Sequence, residues 1–148
     1  MCGICGIFGA AQNSDNVRMT SEMMDVIRHR GPDDKGLWSD KKAAMGFVRL
    51  SIIDLSPTAN QPMKDENDRY IITFNGEIYN YIEIRENLKA KGYTFRTNSD
   101  TEVLLKSYIE RGKNCLGMLN GMFAFAIYDR YSGKLLIARD RYGVKPLY

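Results

Sequence analysis

The sequence predicts an α+β fold in which antiparallel sheets are covered by helices. The chain has 148 residues, enough for one domain with a sizeable core. Helix-like segments fall in the first two-thirds of the chain, among short strand-like segments. The last two apolar runs flank an Asp-Arg-Tyr-Ser-Gly segment at 129–133 that is typical of a hairpin. Strands linked by hairpins pair antiparallel and need helices to cover their apolar faces, so we expect one α+β domain over residues 1–148.

Each element has its own signal along the chain. We expect strands at 2–9, 35–38, 43–53, 70–74, 93–96, 122–128 and 134–138, with the start of another at the chain end. Loops are expected at 12–16 and 56–63. Thr20 is predicted to cap a helix at 21–29 that Gly31 and Pro32 end. Further helices are expected at 81–90, after Ser99 in a capping-box pattern, and briefly at 115–119.

Charge and hydropathy exclude several classes of partner. The net charge is +3, and the basic residues are scattered, so neither nucleic acid nor an anionic membrane is expected to bind. No apolar run approaches the ~20 residues that cross a bilayer. The start of the chain lacks the charged and apolar regions of a signal peptide. A cytoplasmic location is the expectation.

The first nine residues carry the clearest chemical signal. Cys2 follows the initiator methionine, which can be trimmed from before so small a residue. Cys2 would then carry a thiol and a free α-amine, and near neutral pH the neutral fraction of such an amine can accept the thiol's proton. This is a nucleophile with its general base attached.

A C-x-x-C pair offers a different class of function. Cys2 and Cys5 have this spacing, and a redox or metal-binding module is the alternative. A structural zinc site needs about four ligands, which Cys115 and the sole histidine, His29, only just supply. A redox pair would follow a strand and open a helix, whereas this pair lies inside a strand-like segment.

Three other positions have two interpretations each on pattern alone. Asn75-Gly76 between apolar runs favours a type I′ turn over a pair of amide donors for an oxyanion. Arg49 in an apolar strand points either to solvent, which the residue type favours, or to a carboxylate. Asp100 is either an anchor for a substrate or, as its spacing from Ser99 favours, an acid in the first turn of a helix.

Taken together, these segments resemble a known family. The start, Met1-Cys2-Gly3-Ile4-Cys5-Gly6, is similar to that of class II glutamine amidotransferases. Further segments narrow the resemblance to the glutamine-hydrolysing asparagine synthetase type and lie in the same order across the chain: Arg28-His29-Arg30-Gly31-Pro32-Asp33, Arg49-Leu50-Ser51-Ile52-Ile53-Asp54, Phe74-Asn75-Gly76-Glu77-Ile78-Tyr79-Asn80, Ser99-Asp100-Thr101-Glu102 and Arg139-Asp140-Arg141-Tyr142-Gly143-Val144-Lys145-Pro146-Leu147-Tyr148.

The resemblance implies a fold and a set of roles. The fold is the N-terminal-nucleophile hydrolase sandwich, four α-β-β-α layers with antiparallel sheets. Cys2 would attack the side-chain amide of glutamine, and Asn75 and Gly76 would form the oxyanion hole. Arg49 would hold the α-carboxylate of glutamine and Asp100 its α-ammonium. The pocket would be completed by the remaining predicted site residues: Leu50, Ser51, Ile52, Ile53 and Glu77.

The resemblance also implies partners outside these residues. The family's glutaminase domain continues past position 148, so outer strands are expected to be missing, and a C-terminal synthetase domain binds ATP and Mg²⁺ and makes asparagine from aspartate. This chain itself is expected to need no cofactor or metal. The implied partners are glutamine and that synthetase domain, and a homodimer is compatible with the resemblance. Related amidotransferases in secondary-metabolite and polysaccharide pathways are the alternative within the same class.

Overall fold

A computed structural model describes residues 1–9, 14–54 and 56–148 of the chain. Its strands are β1 (Gly3–Phe8), β2 (Asp34–Ser39), β3 (Ala43–Arg49), β4 (Met63–Lys64), β5 (Tyr70–Ile78), β6 (Gly121–Asp129) and β7 (Lys134–Arg139). Its α-helices are α1 (Ser14–Val26), α2 (Tyr81–Lys89) and α3 (Asp100–Arg111). Short 3₁₀ segments lie at Arg28–Arg30, Pro57–Ala59 and Gly112–Met118.

The strands form two antiparallel sheets that face each other. One sheet has the order β1-β3-β2 and the other the order β4-β5-β6-β7. Helix α1 packs on the first sheet, α3 packs on β5 of the second and on α2, and β1 and β3 contact β5 across the interface. The layers therefore run helix, sheet, sheet, helix, and the predicted α-β-β-α sandwich is confirmed.

The alternation of side chains along β5 assigns its two faces. Ile72, Phe74 and Ile78 belong to the larger apolar cluster, which also contains buried residues of α2 and α3. Ile71 belongs to a smaller cluster with Ala43 and Met45 of the opposite sheet. Successive side chains in a strand point to opposite faces, so Asn75, four residues beyond Ile71, lies on the face that meets the first sheet. This places a polar side chain between the sheets.

The first helix begins earlier than its predicted start. Thr20 lies inside α1 and is fully buried, so it does not cap a helix at 21–29. The helix contains Ser14 and Asp15 in its first turn, and an acidic residue there favours a helix N-terminus. The predicted loop at 12–16 is therefore wrong for 14–16, while residues 12 and 13 lie outside the described residues. Arg28–Arg30 form a 3₁₀ turn after the helix.

One predicted strand is shortened and another is absent. β3 ends at Arg49 instead of residue 53, since the register with β2 ends at Asp34 opposite Arg49. Residues 93–96 form no strand: the Arg96 N–H donates to the carboxylate of Glu102 at 3.0 Å, and the Tyr93 N–H donates to the carbonyl of Leu88. The predicted loop at 56–63 contains a 3₁₀ turn and the start of β4.

Of the remaining local predictions, two are confirmed and two are wrong. The Ser99 hydroxyl accepts from the Glu102 N–H at 3.3 Å and caps α3, as predicted. The hairpin between β6 and β7 is also confirmed. The turn favoured at Asn75-Gly76 is wrong, because both residues pair with β6 inside β5. Residues 140–148 form a turn organised by Asp140 instead of the start of a strand.

Candidate active site

A cavity of about 130 Å³ opens where the residues before β1 and the end of β3 approach the later part of β5. Every site residue predicted from the sequence lines it: Cys2, Arg49, Leu50, Ser51, Ile52, Ile53, Asn75, Gly76, Glu77 and Asp100. These residues come from four separate stretches of the chain, so the cavity is a product of the fold. Their roles in chemistry remain proposals.

Cys2 lies immediately before β1 and is half-buried at the cavity wall. Its Sγ lies 3.4 Å from both the N and the O of Leu50, the residue that follows β3. Its carbonyl accepts a hydrogen bond from Arg30 Nε at 3.1 Å. The register of Gly3 opposite Val48 sets this placement, because it brings the start of β1 beside the end of β3. Cys2 is thus held by its backbone while its thiol borders the cavity.

Cys5 faces a different environment from Cys2. Its Sγ donates to the carbonyl of Thr20 in α1, on the outer side of the first sheet. Burial raises the pKa of the Cys5 thiol to about 11, which disfavours the reactive thiolate. Within residues 1–9, 14–54 and 56–148, no group of three or more His, Cys, Asp or Glu side chains could hold a metal ion. The structure gives the paired-cysteine alternative no support.

The edge of β5 beyond β4 supplies the candidate oxyanion donors. β4 pairs with β5 only at Ile71 and Ile72, which leaves the later part of this edge open. The Phe74 N–H on the edge donates to Gln61 Oε1 at 2.6 Å, and the Ile78 N–H donates to Asp100 Oδ2 at 3.0 Å. N–H groups two residues apart point to the same side of a strand. The Gly76 N–H therefore points to the same edge, into the cavity.

The Gly76 amide is the open donor on this edge. No side-chain acceptor for it lies among the described residues, whereas its neighbours at 74 and 78 are both occupied. The side chain of Asn75 is buried and lines the cavity from the adjacent position. A backbone N–H and a side-chain NH₂ thus lie side by side, which is the arrangement of donors that stabilises a developing oxyanion.

Gly76 also has a packing role. A Cβ at this position would lie 2.2 Å from the carbonyl oxygen of Met122 in β6. Only glycine allows β5 and β6 to approach this closely while the N–H stays on the open edge. The same residue therefore serves both the strand pairing and the cavity.

Arg49 is a buried cation at the cavity wall, with 6% of its surface exposed. The pattern-based expectation that it points to solvent is wrong. Its Nη1 donates to the carbonyl of Ser56 at 3.1 Å, and its Nη2 donates to the carbonyl of Asp54. A guanidinium has five N–H donors, so the two carbonyls leave donors for a carboxylate in the cavity. The loop after β3 thereby fixes the orientation of the arginine.

Asp100 is the buried anion on the opposite wall, with 4% of its surface exposed. It is the first residue of α3, and its carboxylate reaches across to the Ile78 N–H. Burial raises the pKa of Asp100 to about 6, and the nearby charge of Glu77 acts in the same direction. A cationic group in the cavity would remove this penalty by pairing with the carboxylate. The cavity therefore presents one fixed cation and one fixed anion.

The loop after β3 forms the outer wall of the cavity. The Ser51 N–H donates to Asp33 Oδ2 at 2.8 Å, which ties the loop to the segment before β2. Ile52 is largely exposed, with 67% of its surface accessible, and Ile53 is partly exposed. Glu77, from β5, is half-buried and also lines the cavity. These side chains line the cavity without being enclosed in the core.

Three further residues border the site and were not predicted from the sequence. Gln61 hydrogen-bonds both the N–H and the carbonyl of Phe74, at 2.6 and 3.2 Å, and so substitutes for a neighbouring strand. Arg30 binds the Cys2 carbonyl, and its Nη2 is buried without a partner among the described residues. Lys145 is 2% exposed and lines the cavity. Arg30 and Lys145 lie in segments that carry the family resemblance and Gln61 does not, and the burial of all three depends on the tertiary fold.

The two facing antiparallel sheets with helices on both sides are the fold of the N-terminal-nucleophile hydrolases. The chain matches the glutamine amidotransferase domain family over residues 1–148 and belongs to that family. A solved glutamine phosphoribosylpyrophosphate amidotransferase from Bacillus subtilis superposes with a TM-score of 0.80 and 25% identity, over 99% of this chain and 38% of the other.

Comparison with curated proteins identifies a narrower group of relatives within this family. The chain is 49% identical, over all of its length, to asparagine synthetase [glutamine-hydrolyzing] 1 of Bacillus subtilis, of which it covers 24%. It is 42% identical to asparagine synthetase [glutamine-hydrolyzing] 3 of Arabidopsis thaliana, of which it covers 25%. The chain thus spans about a quarter of the length of these relatives. No helix among the described residues is long and apolar enough to span a membrane.

Proposed function

We propose that this chain is the glutaminase domain of a glutamine-dependent asparagine synthetase. Cys2 hydrolyses the side-chain amide of glutamine, and the ammonia passes to a synthetase domain that uses ATP and Mg²⁺ to make asparagine from aspartate. The observation that carries the proposal is the cavity in which Cys2, the Asn75-Gly76 donors, Arg49 and Asp100 meet. The 49% identity to a glutamine-hydrolysing asparagine synthetase supports the choice of acceptor.

The nucleophile requires the loss of Met1, which precedes Cys2 and lines the cavity. The freed α-amine of Cys2 takes the proton from Sγ, and the thiolate attacks the amide carbon of glutamine. The resulting oxyanion collapses, the C–N bond breaks, and the amine returns its proton to the leaving ammonia. Water then loses a proton to the amine and attacks the thioester, which releases glutamate and restores the thiol.

The oxyanion of both tetrahedral intermediates is stabilised by the Gly76 N–H and the Asn75 side-chain NH₂. The open position on the β5 edge supports this role for Gly76, because the donor is fixed by strand pairing before the substrate arrives. Preorganised donors cost no reorganisation during the reaction, and one such donor contributes about 10²–10³ in rate.

The zwitterionic end of glutamine binds between the two buried charges. The free donors of Arg49 bind the α-carboxylate in a bidentate manner, and Asp100 accepts from the α-ammonium. Glu77 and the backbone of residues 50–53 complete the pocket. Both charges are buried and held by backbone groups, so little ordering is needed when the ligand binds.

The test compares glutamine hydrolysis by the protein with hydrolysis by two cysteine variants. Cys2→Ala is expected to abolish ammonia release from glutamine, because no other thiol lines the cavity among the described residues. Cys5→Ser is the matched control and is expected to retain most activity, since Cys5 faces α1. A Cys2→Ala protein that hydrolyses glutamine at the normal rate contradicts the proposal.

The acceptor is tested in the full-length protein. With ammonia supplied directly, aspartate and ATP should yield asparagine in both the native protein and its Cys2→Ala variant. Absence of asparagine synthesis, with glutamine hydrolysis intact, would instead favour an amidotransferase of a secondary-metabolite or polysaccharide pathway.

A further inference from the structure

Lys145 is a buried cation in the cavity that the proposed chemistry has not used. It is 2% exposed, yet its ammonium forms no ion pair with any described residue. The recorded hydrogen bond of its Nζ is to the thioether sulfur of Met1. A thioether is a weak acceptor, and buried charges normally have strong partners. While Met1 is present, this cation therefore lacks an adequate partner among the described residues.

The turn that carries Lys145 is rigidly held, so its position is a property of the fold. Asp140 Oδ2 accepts from the N–H groups of Lys145 and Phe123, at 3.0 and 3.1 Å, which ties the turn to β6. Arg139 Nε donates to the Lys145 carbonyl at 2.8 Å. The backbone of Lys145 is thus fixed beside the cavity, and its 2% exposure distinguishes it from a flexible surface lysine.

Removal of Met1 would change the surroundings of this cation most directly. The thioether would be lost, and the new N-terminus of the chain would be Cys2, which lines the same cavity as Lys145. We propose that Lys145 is a positioning residue for the nucleophile, whose ammonium faces the free amine and thiol of Cys2 and favours their active protonation state. This inference rests on the proposed function of Cys2.

Lys145 acts on Cys2 through the net charge of that residue. Resting Cys2 carries a thiol and an ammonium, with a net charge of +1. Its active form has one proton fewer and a net charge of zero, whether the remaining proton is on nitrogen or on sulfur. A neighbouring cation disfavours the more positive form of Cys2. Lys145 therefore lowers the pH at which Cys2 loses this proton to water.

Other charged groups also surround Lys145. Burial lowers the pKa of Lys145, and Arg30 lowers it further, while Asp140, Glu77 and Cys2 act in the opposite direction. Further charged groups line the cavity: Arg49, Asp54 and Asp100. Arg30 binds the Cys2 carbonyl and remains in all the variants below, so its contribution is constant.

The experiment measures the acid limb of two pH profiles in protein shown by intact mass to begin at Cys2. One is kcat/KM for glutamine hydrolysis, and the other is the rate of Cys2 alkylation by iodoacetamide, mapped by peptide mass. Lys145→Met and Lys145→Gln both remove the charge but differ in shape. Both variants are expected to shift the acid limb of each profile to higher pH by roughly one unit. Lys113→Met, at an exposed position after α3, is the control and should leave it unchanged.

The outcomes separate this inference from the proposed function. Acid limbs that stay in place in both Lys145 variants overturn the inference, even if activity or thermal stability falls. A higher KM with an unmoved limb also overturns it, since that result indicates binding of the glutamine carboxylate. Alkylation limbs that shift in a protein unable to hydrolyse glutamine support the role of Lys145 and contradict the proposed function alone.

Discussion

The carboxylate of Asp100 accepts a hydrogen bond from the N–H of Ile78 at 3.0 Å. This contact joins the first turn of α3 to the end of β5, two residues beyond the Gly76 amide. The candidate ammonium anchor and the candidate oxyanion donors are therefore fixed on one strand. The distance between the Asp100 carboxylate and the Gly76 N–H is therefore held by a hydrogen bond to the same strand that carries Gly76.

Glutamine affinity is expected to weaken as the pH falls through about 6. Burial raises the pKa of Asp100 to about 6, and only the ionised carboxylate can pair with an ammonium. Below that pH the dissociation constant should rise by up to about tenfold per pH unit. Calorimetric titration of the Cys2→Ala protein between pH 5 and 7.5 measures this. Asp100→Asn should bind glutamine weakly and without this pH dependence; tight binding by that variant contradicts the assignment.

The same raised pKa has an effect of opposite sign on stability. Folded Asp100 binds its proton more tightly than the unfolded residue, whose ordinary pKa is 3.8. The contribution of this residue to the free energy of unfolding therefore falls as the pH rises from about 4 to about 6. In the absence of ligand, thermal unfolding should show the melting temperature of Asp100→Asn, relative to that of the native protein, rising between about pH 4 and about pH 6.

Arg49→Lys is expected to raise the KM for glutamine by roughly tenfold or more. Lysine keeps the charge but lacks the planar donors that hold the Ser56 and Asp54 carbonyls and a carboxylate at once. Steady-state hydrolysis at varied glutamine concentration measures the effect. Arg28→Lys, at an exposed position in the 3₁₀ turn, is the control. Unchanged KM and kcat in Arg49→Lys would rule out the carboxylate clamp.

Gly76→Ala is expected to lower the melting temperature as well as the activity. The new Cβ would lie 2.2 Å from the Met122 carbonyl oxygen, so β5 and β6 must separate. Overpacking of this kind costs about 1–3 kcal/mol. Gly117→Ala is the matched control, because nothing lies within 4 Å of a Cβ there. Thermal unfolding of both variants tests this, and equal melting temperatures would show that the close approach is unimportant.

Features with local causes could be predicted from the sequence. The Ser99 cap depends on a hydroxyl and an amide three residues apart, and the β6–β7 hairpin on the composition of one turn. The alternation of glycine with apolar residues was also enough to place β1. Such signals involve only neighbouring residues, and tertiary contacts reinforced them here.

Features that depend on distant partners could not be predicted from local patterns. Asn75-Gly76 has the composition of a turn, but β6 pairs along the whole of β5 and keeps both residues extended. Residues 93–96 have strand composition, but the Glu102 side chain takes the backbone donors of a strand. The burial of Arg49 and Lys145 arises only when several segments enclose the cavity. The site residues could therefore be predicted from the family resemblance but not from local patterns. The fold brings them together.

The most direct test of the central claim is covalent trapping with a diazoketone analogue of glutamine. The diazo carbon should take the proton lost by the thiol, and the thiolate should then displace dinitrogen and form one carbon–sulfur bond, which intact mass and peptide mapping locate. We expect one adduct per chain, on Cys2, only in chains that have lost Met1, and slowed by excess glutamine. Cys5→Ser should label normally and Cys2→Ala not at all. Labelling of Cys5 or Cys115, or equal labelling of chains that retain Met1, would contradict the assignment of Cys2 as an N-terminal nucleophile.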